Sequence, residues 1–223
     1  MTSDHHSQVK ARRIFPGIAI EGLPFIAGGL ALTGLSAAYN LRAALLPLVL
    51  TGFLTCFFRD PERVAAEEEK FLYAPADGRV MFVEEVDETR FIKGPAYRIA
   101  IFLSIFNVHI NRSPAAGVVQ YREHVPGNFR AAWQPEIEPG NECQYLGLET
   151  PRGPVLITQV AGLLARRIVC RPQIDEEVRC GERIGLIKFS SRTDLIFPRT
   201  MARPLVTPDM SVRGAITPIG AYL

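Results

Sequence analysis

Three places in this chain set residues capable of chemistry into otherwise apolar surroundings. The stretch "IKFSSRTDLIFP" (Ile187 to Pro198) carries Ser190 and Ser191 side by side, followed by Arg192 and Asp194. "IFNVHINRSP" (Ile105 to Pro114) carries His109, and "APADGRV" (Ala74 to Val80) carries Asp77. A serine hydroxyl is a weak nucleophile until a base accepts its proton, imidazole is the usual base near neutral pH, and a carboxylate can orient that base. Asp, His and Ser therefore suffice for attack on a carbonyl, in a chain order that one class of triad proteases also uses. Each residue has a plain structural reading beside this one. The serine pair reads as a polar kink between two half-strands, Asp77 before Gly78 as an Asx-turn residue, and His109 as a satisfied histidine in an apolar strand. His124, in "REHVPGNF", reads as a turn residue with no evident partner.

The elements that must hold these residues are mostly strands. After Asp60-Pro61 a charged linker, Glu67-Glu68-Glu69-Lys70, precedes short β-rich runs broken by Gly and Pro. Candidate strands are Arg79 to Glu84, Arg98 to Ser104, Gly117 to Glu123, Tyr145 to Thr150, Pro154 to Val160 and Arg183 to Phe189; Leu163 to Cys170 fits a helix or a strand. This spacing predicts a compact, mainly β sandwich or barrel-like domain over 61–223, within an α+β chain.

Residues 1–60 are different. Between Ile14 and Tyr39 the only charge is Glu21, and Ala43 to Phe58 carries none, with the turn Asn40-Leu41-Arg42 between them. Lys10, Arg12 and Arg13 on one side and Arg59 and Arg63 on the other place both flanks on the cytoplasmic face, as a helical hairpin. Arg42 at the turn runs against two full spans. So does the second stretch, whose 16 uncharged residues reach roughly 24 Å as a helix, against roughly 30 Å of hydrocarbon. The expectation is a hairpin held in one leaflet or at the interface of the cell membrane. A cleaved signal peptide is disfavoured by the second apolar stretch and by four cysteines without disulfide-like spacing. With 25 Lys+Arg against 23 Asp+Glu and no basic run interleaved with aromatics, nucleic-acid binding is set aside.

Taken together, "FFRDPER" (Phe57 to Arg63), "APADGRV", "IFNVHINRSP", Asn141-Glu142, "QVAGLLARRIV" (Gln159 to Val169) and "GERIGLIKFSSRTDLIFP" (Gly181 to Pro198) resemble, in order and spacing, the short (type A) phosphatidylserine decarboxylase proenzymes. The likeness covers nearly the whole chain. It implies that the chain cuts itself before the serine of a Phe-Gly-Ser-Arg motif, here Phe189, Ser190, Ser191 and Arg192. Ser191 would then be the nucleophile and Ser190–Ser191 the scissile bond. Attack of Ser191 on the Ser190 carbonyl exchanges amide for ester; elimination and loss of ammonia leave a covalent pyruvoyl group in place of Ser191. No external cofactor and no metal are implied. The ketone forms a Schiff base with the serine amine of phosphatidylserine and accepts the electrons released as CO₂ departs, giving phosphatidylethanolamine in phospholipid biosynthesis.

The same resemblance implies that Asp77 orients His109, that His109 takes the Ser191 proton, and that fragments 1–190 (beta) and 191–223 (alpha) stay associated. Two departures are visible. Asn111 and Arg112 stand where longer members carry a second histidine, and Ser190 replaces the usual glycine, which narrows the backbone freedom of the scissile bond. A membrane-attached Asp-His-Ser hydrolase and a non-enzymatic, membrane-tethered lipid-binding β domain are the competing readings. Diacyl or ether lipid as substrate, and oligomerisation, are left open.

Overall fold

The computed structural model describes residues 17–64, 70–128, 140–162, 167–188 and 191–223. Its contacts divide the chain into two units that meet at Glu62 and Arg63.

The front unit is a pair of helices, α1 (Leu23–Tyr39) and α2 (Leu45–Phe57), entered through a 3-10 turn at Ile20–Gly22. Pro24 stands in the first turn of α1, where its missing N–H costs nothing. Asn40 ends α1 in an extended conformation, and its side chain accepts a hydrogen bond from the Arg42 N–H at 2.9 Å. The helices touch where Gly29 faces Thr51: a Cβ on Gly29 would sit 2.3 Å from Thr51 Oγ1. No residue of α1 is buried, and Leu35, Leu45 and Leu46 are largely exposed. The threonine hydroxyls turn inward on their own helices: Thr33 donates to Gly29 O, Thr51 to Pro47 O and Thr55 to Thr51 O. Such back-bonding satisfies hydroxyls without water, as an apolar surrounding requires. The turn and α1 together, Ile20–Tyr39, are 20 residues long and apolar enough to cross a membrane, whereas α2 is shorter.

The second unit is built of strands. Its main sheet joins β2 (Gly78–Glu88), β3 (Gly94–Leu103), β5 (Gly117–Val125), β6 (Cys143–Thr150), β7 (Gly153–Ala161), β9 (Glu177–Val178), β11 (Ser191–Pro198) and β13 (Ser211–Val212). Their order is β13-β2-β3-β11-β7-β6-β5-β9, antiparallel throughout. Two three-stranded sheets complete it. One joins β1 (Phe71–Tyr73), β14 (Pro218–Tyr222) and β12 (Ala202–Pro204); the other joins β4 (Ile110–Arg112), β10 (Arg183–Ile187) and β8 (Ile168–Cys170). The α+β expectation holds, with a curled eight-stranded sheet as its centre. All six strands anticipated from alternation occur, within a few residues of the expected ends.

One open reading is narrowed and two details differ from expectation. Ile168–Cys170 is a strand, while residues 163–166 of the ambiguous segment lie outside the described residues. His124 lies in β5 rather than in a turn, with Nε2 3.8 Å from the Glu142 carboxylate. The strands on either side of the serine pair are not halves of one strand: β10 stops at Ile187 in one sheet and β11 begins at Ser191 in another, with Ser190 outside the described residues.

β11 lies between β3 and β7 without a bulge, so its side chains alternate strictly between faces. Leu195 and Phe197 enter the larger core, with Leu72, Ile101, Leu148 and Ile157, and Ile196 enters a second cluster with Tyr145, Leu156 and Val160. Ser191 and Thr193 therefore share the main core face, and Arg192 and Asp194 share the other.

Candidate active site

Ser191 opens the central strand, opposite Leu103 of β3 and Ala161 of β7. It is completely buried, and its Oγ has no hydrogen-bond partner among the described residues. A buried hydroxyl in that condition costs about 1–3 kcal/mol. Ser190 and Phe189 lie outside the described residues.

His109 reaches the same end of β11 by two connections. Leu103, the partner of Ser191, is the last residue of β3, and a turn follows at once: Asn107 N–H donates to Ser104 O at 2.9 Å, and Asn107 Oδ1 accepts from Ser104 N and Oγ at 2.9 and 2.7 Å. His109 comes two residues later, just ahead of β4, and is buried. The second connection runs through Asn111, whose Nδ2 donates to Thr193 Oγ1 at 2.9 Å while its Oδ1 accepts from Gln159 Nε2 at 2.7 Å. Residues two apart share a strand face, so Asn111 against Thr193 draws the His109 segment toward the Ser191 face.

The imidazole is oriented by its neighbour in sequence. His109 Nδ1 lies 3.0 Å from the Asn107 carbonyl oxygen, which can only accept. Nδ1 therefore carries the proton, and in the neutral ring Nε2 holds the basic lone pair. One residue, Asn107, shapes the turn with its side chain and fixes the tautomer with its backbone.

Asp77 comes close by a different path. Arg112 N–H donates to Pro75 O and Tyr73 N–H to Pro114 O, so the chain from Tyr73 to Asp77 runs antiparallel to β4 and toward His109. Gly78 is needed there, because a Cβ would meet the Phe102 carbonyl oxygen at 2.1 Å. The Asp77 carboxylate is bonded to the Arg63 guanidinium through both oxygens, and Oδ1 also accepts the Gly214 N–H at 2.8 Å. The bonds of Asp77 are thus to Arg63 and Gly214, and that of the His109 Nδ1 is to Asn107; the arginine pair, charge-assisted and bidentate, is the strongest partner open to a carboxylate.

The opposite face of β11 holds an ion cluster. Arg192 donates to both Asp194 oxygens, Nε to Oδ1 at 2.8 Å and Nη2 to Oδ2 at 2.7 Å, and Arg98 adds Nε and Nη2 contacts to Oδ2 at 2.8 and 2.6 Å. Burial alone would push the Asp194 carboxyl up, but the Arg192 and Arg98 guanidiniums outweigh it and hold it below the usual carboxylate range.

Sequence reasoning assigned no role to Asn107, Thr193 or Gln159, and it read Arg63 only as a basic flank of the membrane segment, whereas its side chain is bonded to Asp77. The first had a readable signal, since Ser104 and Asn107 at a spacing of three before a histidine form the pattern of a side-chain-capped turn. Among the described residues no group of three or more His, Cys, Asp or Glu is placed to hold a metal ion.

The family model for phosphatidylserine decarboxylase matches residues 50–220. The chain belongs to the phosphatidylserine decarboxylase family. A phosphatidylserine decarboxylase proenzyme of Symbiobacterium thermophilum is 50% identical over 208 residues, covering 92% of this chain and 95% of that protein. Proenzymes of the same name from Carboxydothermus hydrogenoformans and Desulfotalea psychrophila are each 40% identical, over 90% and 92% of this chain and 94% and 97% of theirs. These full-length likenesses favour a decarboxylase over a triad hydrolase or a lipid-binding module.

Proposed function

We propose that this protein is a self-processing decarboxylase of phosphatidylserine, attached by its front helices to the cytoplasmic face of the membrane. The observation that carries the reading is Ser191: a buried hydroxyl without a hydrogen-bond partner among the described residues, at the head of the central strand and at the end to which the His109 loop returns. In the uncut chain His109 Nε2 takes the Ser191 proton as Oγ attacks the Ser190 carbonyl carbon. The Oγ–C bond forms, the Ser190–Ser191 C–N bond breaks, and the freed amine takes a proton. β-Elimination then releases the acyl group as the Ser190 carboxylate and leaves a dehydroalanine, whose imine tautomer is hydrolysed by one water molecule to the pyruvoyl ketone and ammonia.

That group supplies an electrophilic carbonyl able to take up the electron pair released with CO₂. The protein's own residues do the rest. Burial of position 191 keeps bulk water from the reacting carbon, and we assign to His109, its Nδ1 held by Asn107, the return of a proton to the carbon that lost CO₂.

The topology supports lasting association of the two fragments. β11 pairs over its whole length with β3 and with β7 as far as Ile196, β13 pairs with β2, and β14 pairs with β1. Cleavage before residue 191 therefore leaves 191–223 as the centre of a sheet whose neighbours belong to 1–190.

Intact mass under denaturing conditions tests the proposal. Two species are expected, 1–190 and 191–223, the smaller without a free amine and forming an oxime with hydroxylamine. A single chain of full mass, or a small fragment with an ordinary serine amine, would reject it.

A further inference from the structure

We propose that Arg63 is a positioning residue for self-cleavage: its guanidinium fixes the carboxylate of Asp77, whose segment runs alongside β4 toward His109. The inference deepens the function proposed above and rests on it.

Arg63 is the first residue of the β unit, and its side chain is even less exposed than that of Asp77, at 8% against 12%. Nη1 donates to Asp77 Oδ1 and to Gly214 O at 2.7 Å, and Nη2 donates to Asp77 Oδ2 at 2.7 Å. The Gly214 N–H returns to Asp77 Oδ1 at 2.8 Å, so both backbone groups of one glycine join cation to anion in a closed ring. An ionised carboxylate offers about four acceptor directions. Oδ1 has two donors and Oδ2 one, which leaves Oδ2 as the less occupied oxygen.

The backbone gives this ring its purpose. The Tyr73–Asp77 segment is pinned to β4, and the carbonyl packed against Gly78 prevents the chain after Asp77 from shifting. With the backbone held, only the carboxylate torsion is adjustable, and Arg63 sets it. A lysine supplies charge but not the planar fork that fixes two oxygens at once. Neutralising a buried carboxylate would need only a cation; directing one of its oxygens needs a guanidinium. The arginine therefore sets the direction in which Asp77 presents its negative charge beside the His109 segment.

The experiment follows the appearance of the 191–223 fragment in full-length Arg63→Ala, Arg63→Lys and Asp77→Asn chains, each with and without millimolar guanidinium ion, circular dichroism confirming that each is folded. Arg63→Ala is expected to cleave roughly 100-fold more slowly, the scale of a misplaced catalytic group. Arg63→Lys should fall between it and the natural chain. Guanidinium should accelerate Arg63→Ala and leave Asp77→Asn and Arg63→Ala/Asp77→Asn unchanged, a dependence that a merely structural pair would not show. Cleavage of Arg63→Ala at the natural rate would overturn the proposal. Faster cleavage would overturn it too, making Arg63 a brake, as would a folded Arg63→Ala chain indifferent to guanidinium. Ser191→Ala is run alongside: cleavage there would remove the self-processing reading itself, an outcome distinct from any result on Arg63.

Discussion

Four consecutive residues of one strand, Ser191 to Asp194, point alternately to two faces of the same sheet, and the faces treat buried polar groups in opposite ways. On one side the Arg192, Asp194 and Arg98 cluster meets every carboxylate oxygen with at least one guanidinium, at 2.6–2.8 Å. On the other, Thr193 accepts one amide hydrogen bond and Ser191 Oγ has no partner among the described residues. Ser191, Arg192, Thr193 and Asp194 are all completely buried, so solvent does not explain the difference. A satisfied ion cluster can fix a strand in register, whereas an unsatisfied hydroxyl fixes nothing and costs free energy. A fold keeps the second only where the hydroxyl must be free to react, so the strand joins a rigid side to a reactive one.

The strongest way to break this contrast is Ser191→Ala. Self-cleavage and decarboxylation should both vanish, read as one full-length band on a denaturing gel. The uncut variant should be no less stable than uncut His109→Ala, because a lost hydroxyl without a partner removes a cost. A stability loss above about 1 kcal/mol in urea would show that Ser191 has a structural partner after all.

His109→Ala should come next. Removing a general base typically costs 10²–10⁴-fold, so the 191–223 fragment should appear that much more slowly while the fold survives. Cleavage at the natural rate would strip His109 of its role as acceptor of the Ser191 proton.

The rigid face predicts a thermodynamic rather than a kinetic loss. Asp194→Asn takes the shared carboxylate from the buried Arg192 guanidinium and the partly buried Arg98 guanidinium and should destabilise the uncut chain by about 3–5 kcal/mol in chemical denaturation. Its pH dependence has a definite sign. The folded Asp194 carboxyl lies below the ordinary range, so its contribution is complete above the unfolded value near 4 and is lost as pH falls through the folded value. Melting temperature should therefore drop on acidification below about pH 4 more steeply in the Ser191→Ala chain than in Ser191→Ala/Asp194→Asn. Parallel acid profiles would mean that Asp194 is not the group responsible.

The reactive face was far more legible in the sequence than the rigid one, and the reason is physical. Residue type announces chemistry: a histidine and two serines in apolar runs stand out whatever their partners. Alternation likewise announced the long strands of the main sheet, because each has a core face. Partnerships were not legible, since Arg63 meets Asp77 across 14 residues and Arg98 meets Asp194 across 96. Nor were the strands of two or three residues, such as β4 and β9, which are too short for any period to show. Asp77 illustrates both limits. Its type and its Gly78 neighbour could be read directly, but the arginine that holds it could be found only once the chain had folded back.

The smallest effect is expected at Thr193, and it tests whether the reactive face has a frame of its own. Thr193→Val keeps the shape and removes the oxygen that accepts Asn111 Nδ2, so one buried amide hydrogen loses its partner while Gln159 still holds Asn111 Oδ1. Measured in the Ser191→Ala background, where no cleavage complicates unfolding, the loss should be about 1–2 kcal/mol. In the otherwise natural chain the same change should slow cleavage, because the Asn111–Thr193 bond ties the His109 segment to β11. The slowing should be near tenfold, less than for His109→Ala, since the turn capped by Asn107 still holds the imidazole. Slower cleavage with unchanged stability would make Thr193 part of the chemistry rather than its frame. Unchanged cleavage with the expected stability loss would leave the Asn107 turn as sufficient by itself to aim His109 at Ser191.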